Sequence, residues 1–167
     1  MAEVIARNRP AAVRMAKEIA LRSLDHPLLD PPQAWDLYEL IPNDPNPYDS
    51  YAELLLKTGR FEEAITQYRK ALSLNPRFTS SFNGIAAALM YQGKHEDALA
   101  EIQKAYDKAR NEGEQRAELF IKTIIYVDQE KPDLGLAEME KQVAIAEKSK
   151  DVASLANDLI TMGTILL

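Results

Sequence analysis

The chain has 167 residues, 46% of them apolar, and a formal net charge of −6. Length and composition suit one domain with a packed core. The acidic balance argues against nonspecific nucleic-acid binding, which needs a basic face. The absence of cysteine excludes a disulfide framework and a thiolate metal site.

The first segment, MAEVIARNRPAAVRMAKEIALRSL, sets Arg7, Arg9, Arg14 and Arg22 on an amphipathic pattern faintly like a transit peptide. Glu3 and Glu18 count against that, and a continuous apolar stretch of the secretory kind is missing, so a helix over 10–25 is expected. His26 to Pro32 reads as a proline-rich turn, and a short helix carrying Trp35, Leu37, Tyr38 and Leu40 is expected over Gln33 to Ile41. The pattern then predicts helices over 47–58 and 61–74, and over 80–92 and 95–110. Asn46 before Pro47 reads as an N-cap with proline in the first turn. Gly59 supplies the conformation that ends the first helix, and Asn75-Pro76 closes the second. Asn111 to Glu114 is a turn; helices are expected over 115–129 and 133–149, broken at Glu130-Lys131-Pro132. A last helix runs from Asp151 to Leu167. No apolar run reaches the roughly 18 residues of a membrane span.

Two of these segments repeat each other. Displaced by 34 positions, Tyr48 falls on Phe82, Ala52 on Ala86, Leu55 on Leu89, Gly59 on Gly93, Ala64 on Ala98, Tyr68 on Ile102 and Ala71 on Ala105. Such a period signals stacked helical hairpins and a binding surface rather than a catalytic pocket. Ala52, Ala64 and Ala71 allow two antiparallel helices to approach closely, while Tyr48, Leu55 and Tyr68 fill the gaps.

These residues resemble the tetratricopeptide repeat. Tyr48, Tyr51-Ala52, Leu55, Gly59, Ala64, Tyr68, Ala71 and Pro76 occupy its slots, and SSFNGIAAALMYQGKHEDALAEIQKA repeats the match, with Arg110 replacing the expected proline. The resemblance implies an all-α fold, a right-handed superhelical solenoid of antiparallel helix hairpins. The expected division is a degenerate capping hairpin over 1–44, repeats over 45–78 and 79–112, a longer third repeat over 113–150, and the first helix of a further repeat over 151–167. In the third unit Tyr126, Gly135 and Met139 take the slots of Leu55, Ala64 and Tyr68, a register gain of three. Lys122 falls where a core residue is expected.

Little points to chemistry. His26 and His95 are the two histidines, without ligand partners at metal-binding spacing. His95 takes the slot of Phe61. The pairs Glu62-Glu63 and Glu96-Asp97 open helices, where negative charge favours the dipole. Phosphate-loop and nucleophile motifs are missing, and no cofactor is expected. The resemblance instead implies partner binding on a concave face lined by the first helix of each hairpin. The expected groove residues are Asp49, Glu53 and Leu56, then Asn83, Ala87, Met90 and Tyr91, then Phe120, Ile124 and Val127: acidic at one end, apolar at the other. Co-chaperone relatives grip acidic tails with a Lys-Asn-Asn-Lys-Arg clamp; here those slots hold Asp49, Glu53, Gly84, Ala117 and Ile121, and none matches.

The expected function is a non-catalytic scaffold for a protein or peptide, neutral to basic with an apolar anchor, in a cytoplasmic setting, with a bacterial periplasm left open. The alternatives are the repeat region of a larger enzyme, such as a transferase, and end-to-end self-assembly. The last helix shows two apolar stripes: Leu155, Leu159, Met162 and Leu166, and Val152, Ala156, Ile160 and Leu167. One neighbouring hairpin covers one stripe. A bare second stripe is expected either of a piece of a longer chain or of a homodimer pairing through 151–167, with Leu155, Leu159, Met162 and Leu166 as the expected self-association residues.

Overall fold

The computed structural model describes residues 43–166. The hairpin expected over 1–44 therefore lies almost wholly outside the described residues, as do His26, Trp35 and Leu167. Among the described residues there are seven α-helices and no strand: α1 (Pro45–Lys57), α2 (Phe61–Leu74), α3 (Thr79–Tyr91), α4 (His95–Lys108), α5 (Glu112–Asp128), α6 (Pro132–Ser149) and α7 (Val152–Ile165). The chain divides into two compact units at Gly84–Ile85, inside α3.

In the first unit, α1 and α2 form a hairpin around Ala52, Ala64 and Ala71, all without exposed surface. Each carries only a methyl group, so the two backbones approach closely. Leu55 and Tyr68 are buried beside them. Tyr68 packs flat against α3: a Cβ built on Gly84 would lie 2.1 Å from its ring, so only glycine fits there. The cap of α1 is Asp44, whose carboxylate accepts from the Asn46 backbone N–H at 3.0 Å, with Pro45 opening the helix. Asp44-Pro45 and Asn46-Pro47 offer the same cap-then-proline grammar, and the earlier pair takes it, two residues upstream of the expected start.

In the second unit, Ala86, Ala98, Ile102 and Ile125 form a buried cluster, flanked by Leu89, Met90, Leu99 and Ile121. Leu119, Met139 and Ala146 bury further along. Gly135 lets α6 approach α5: a Cβ there would stand 3.3 Å from the Thr123 carbonyl. The Thr123 hydroxyl sits 3.1 Å from the Leu119 carbonyl oxygen and 3.2 Å from that of Gly135, and donates between them. Lys122 is half-buried; its ammonium donates to Gln103 and lies 5.3 Å over the Tyr106 ring. Burial pushes its pKa below the ordinary lysine value, with the Glu138 carboxylate opposing. Asn111 to Glu114, expected as a turn, is the cap and first turn of α5: the Asn111 side chain accepts from the Glu114 N–H at 2.9 Å.

Four helices end in the same turn. In α1, Arg60 N–H donates to Leu55 C=O at 2.9 Å across Gly59, and α3 repeats this from Lys94 to Leu89 across Gly93. The glycines have φ of 76° and 73°, the left-handed region that favours glycine. In α5 the bond runs from Lys131 to Tyr126 and in α6 from Asp151 to Ala146, both 2.9 Å. There the left-handed residues are Glu130 (φ 58°) and Lys150 (φ 57°). The α5–α6 hairpin gains its length in its helices: α5 has 17 residues against 13 in α3, and α6 has 18 against 14 in α4. Glu130 carries a side chain where the turns at Gly59 and Gly93 have none. Glu130→Gly is expected to raise stability by about 0.5–1 kcal/mol, read as a higher urea midpoint at unchanged m-value; a lower midpoint would contradict the left-handed turn.

Candidate functional site

On α1, Asp49, Glu53 and Leu56 are spaced four and three apart and share one helix face. Their surroundings differ. The half-buried Asp49 carboxylate accepts from Ser81 Oγ at 2.7 Å and Ser80 Oγ at 3.3 Å. Both serines lie in the first turn of α3, where backbone dipoles favour a negative charge, so Asp49 ties α1 to α3. Glu53 instead pairs with Lys57 at 2.9 Å on the surface. Leu56 and Asn83 are half-buried. Behind this face, burial, then the charges of Asp49 and Glu53, hold the Tyr68 phenol protonated well beyond its ordinary range.

In the second unit, Ala87 is half-buried and Met90 packs against the core cluster. Tyr91 is exposed. Phe120, Ile124 and Val127 are 42–44% exposed. They recur at spacings of four and three, so they line one stripe of α5. Glu118, Leu119, Thr123 and Ile125 of the same helix are buried, and Val127 borders the Gly135 contact beside Thr123.

The last helix is held by a pair of charges that the repeat pattern does not reveal. Arg116 of α5 donates to the Gln142 carbonyl of α6 at 2.8 Å and meets the buried Asp158 carboxylate of α7 at 2.9 Å and 3.1 Å. Asp158 is the only charged residue within Val152–Ile165, and a lone charge in an apolar helix is the signal that could have exposed it. The face centred on Asp158 packs inward. Leu155 and Met162, three before and four after, are half-buried with it. Leu159 and Leu166, assigned to the same stripe, turn outward with Val152 and Ile160; these four are 54–75% exposed. One guanidinium thus ties three helices and sets the rotation of α7.

Among the described residues, no group of three or more His, Asp or Glu side chains is placed to hold a metal ion, and no helix is long and apolar enough to cross a membrane. His95 Nε2 contacts Asp128 Oδ2 at 2.7 Å, joining the start of α4 to the end of α5.

Residues 52–93 match the tetratricopeptide family as a TPR repeat. That stretch carries tetratricopeptide-repeat sequence. TTC0263, a thermophilic TPR protein of Thermus thermophilus, superposes with a TM-score of 0.64 at 18% identity, over 95% of this chain and 86% of its own. PilF of Pseudomonas aeruginosa gives 0.61 at 16%, over 93% and 77%. YrrB, a TPR protein with an unusual peptide-binding site, gives 0.53 at 21%, over 75% and 64%. At these identities the likeness establishes the fold, an all-α solenoid of helical hairpins. No curated protein sequence matches significantly.

The Arg116–Asp158 pair yields a direct test. Arg116→Met leaves a buried carboxylate without its counter-charge and is expected to cost about 3–5 kcal/mol. Adding Asp158→Leu removes that orphaned charge and is expected to recover most of the loss. Urea melts of the two singles and the double measure this; strictly additive losses would mean that the ions do not meet.

Proposed function

We propose that this tetratricopeptide chain is a non-catalytic scaffold that binds a peptide or a partner helix through the faces of its first helices. Proteins of this fold are generally protein-interaction scaffolds. The observation that carries the finer reading is the apolar stripe Phe120, Ile124 and Val127 on α5. Three large apolar side chains left in water at helical spacing fit a partner's apolar anchor. Tyr91 adds an exposed aromatic ring in the same unit. In the first unit, Glu53 supports a neutral or basic partner. Asp49 is committed to Ser80 and Ser81, so the charge to probe is Glu53.

Affinity capture from the native lysate, with the intact chain as bait, tests the reading. Ile124→Asp puts a charge into the stripe without touching the buried face. It is expected to reduce partner capture by about tenfold or more, with helicity and urea midpoint retained. Ala144→Asp, at an exposed alanine of α6, is expected to leave capture unchanged. Equal capture by the wild type and Ile124→Asp would remove the α5 stripe from the binding site.

A further inference from the structure

The outward face of α7 is the largest unexplained apolar feature of the second unit. Val152, Leu159 and Leu166 recur every seven residues and form a straight seam along the helix. Ile160 flanks the seam, and all four side chains stand mostly in water. Ala156 and Gly163 lie beside it, also seven apart. No charged residue interrupts this face, because Asp158 is turned inward onto Arg116.

Gly163 is informative. A glycine inside a helix weakens it, and is usually kept where something approaches closely. Gly84 meets the Tyr68 ring and Gly135 meets the Thr123 carbonyl, but a Cβ on Gly163 would find nothing within 4 Å. Its missing side chain opens a space that no described residue of this chain fills. Aligning Met162-Gly163 with Tyr51-Ala52, and Leu166 with Leu55, gives Gly163 the slot of Ala52 and Ala86, both wholly buried. Ala52 lies on the helix of the first unit that pairs with α2. By that register, α7 presents the seat of a second helix.

We infer that a second copy of this chain fills that seat, through antiparallel pairing of two α7 helices about a two-fold axis. A two-fold needs only one self-complementary patch. Centred on Leu159, the pairing sets Val152 against the second copy's Leu166 position, Leu159 against its own equivalent, and Ala156 against the Gly163 position. Large side chains then meet along the seam, and the small residues supply the close crossing. Two copies of net charge −6 repel each other at long range, and this face adds no like-charge pair to that repulsion, because it carries no carboxylate at the contact. The four exposed side chains offer on the order of 400 Å² of apolar surface per copy, a size that marks interaction sites. Doubled across the axis and widened by the helix flanks, it reaches the roughly 1,000 Å² of a specific interface.

Sedimentation equilibrium of the full 167-residue chain is the test. The expected result is a mass twice the 18.8 kDa of one copy at concentrations up to roughly 200 µM, and at least a tenfold weaker association for Leu159→Glu. Leu159 is already mostly exposed, so that variant should keep its helicity. Should it unfold, a second measurement decides. The chain has no cysteine, so Leu159→Cys is expected to give a disulfide-linked dimer under mild oxidation, while Leu166→Cys, far from its own equivalent in an antiparallel pair, is not. A chain that stays at 18.8 kDa throughout, a Leu159→Glu variant that dimerises as the wild type does, or cross-linking at Leu166→Cys but not at Leu159→Cys would each overturn the pairing.

Discussion

Close approach of paired helices is the constraint on which this structure depends. A hairpin buries its apolar faces only if the two backbones come near, and a side chain larger than a methyl group at the contact holds them apart. Ala52, Ala64 and Ala71 in the first unit, and Ala86, Ala98 and Ala105 in the second, have no exposed surface. Gly135 serves the same purpose between α5 and α6. The bulkier core residues Leu55, Tyr68, Ile102 and Met139 are buried alongside; their burial follows from that closeness.

Polar groups decide orientation where the apolar pattern leaves it open. An amphipathic helix with two adjacent apolar stripes can pack in more than one rotation. In α7 the Asp158 carboxylate settles the matter: once buried it must meet a counter-charge, and Arg116 stands on α5 with its other donor on the Gln142 carbonyl. Leu155 and Met162 go inward as a consequence, and Val152, Leu159, Ile160 and Leu166 stay out. The apolar surface proposed for self-pairing is thus fixed by an ion pair on the opposite side of the helix. Asp49 works similarly in the first unit: engaged by Ser80 and Ser81, it belongs to the fold before it belongs to any partner.

The repeat grammar was legible in the sequence where conformation restricts residue type. Gly59 and Gly93 announce left-handed turns because few other residues adopt them cheaply, and buried alanines recur because nothing larger fits. The all-α fold and the helix pairs followed from those positions. Glu130 and Lys150 occupy the same left-handed turn without glycine, so the α5–α6 hairpin was legible only through its proline break and its displaced apolar slots. The cap of α1 was misplaced by two residues because two cap-and-proline pairs stand side by side. The Arg116–Asp158 contact was legible only by half: the lone charge of α7 marks Asp158, but Arg116 lies 42 positions away and only tertiary packing joins them. Exposure along α5 depends on how far that helix is rotated, which periodicity leaves open by about a third of a turn.

The most direct test compares two alanines on one helix. Ala98 is wholly buried at the crossing of α4, whereas Ala100, two residues on, faces solvent. Both substitutions to leucine change helix propensity equally, so a difference between them reports packing alone. In urea melts Ala98→Leu is expected to cost about 1–3 kcal/mol, and Ala100→Leu less than about 0.5 kcal/mol. Equal losses for the two variants, or a neutral Ala98→Leu, would contradict close helix approach as the basis of the fold.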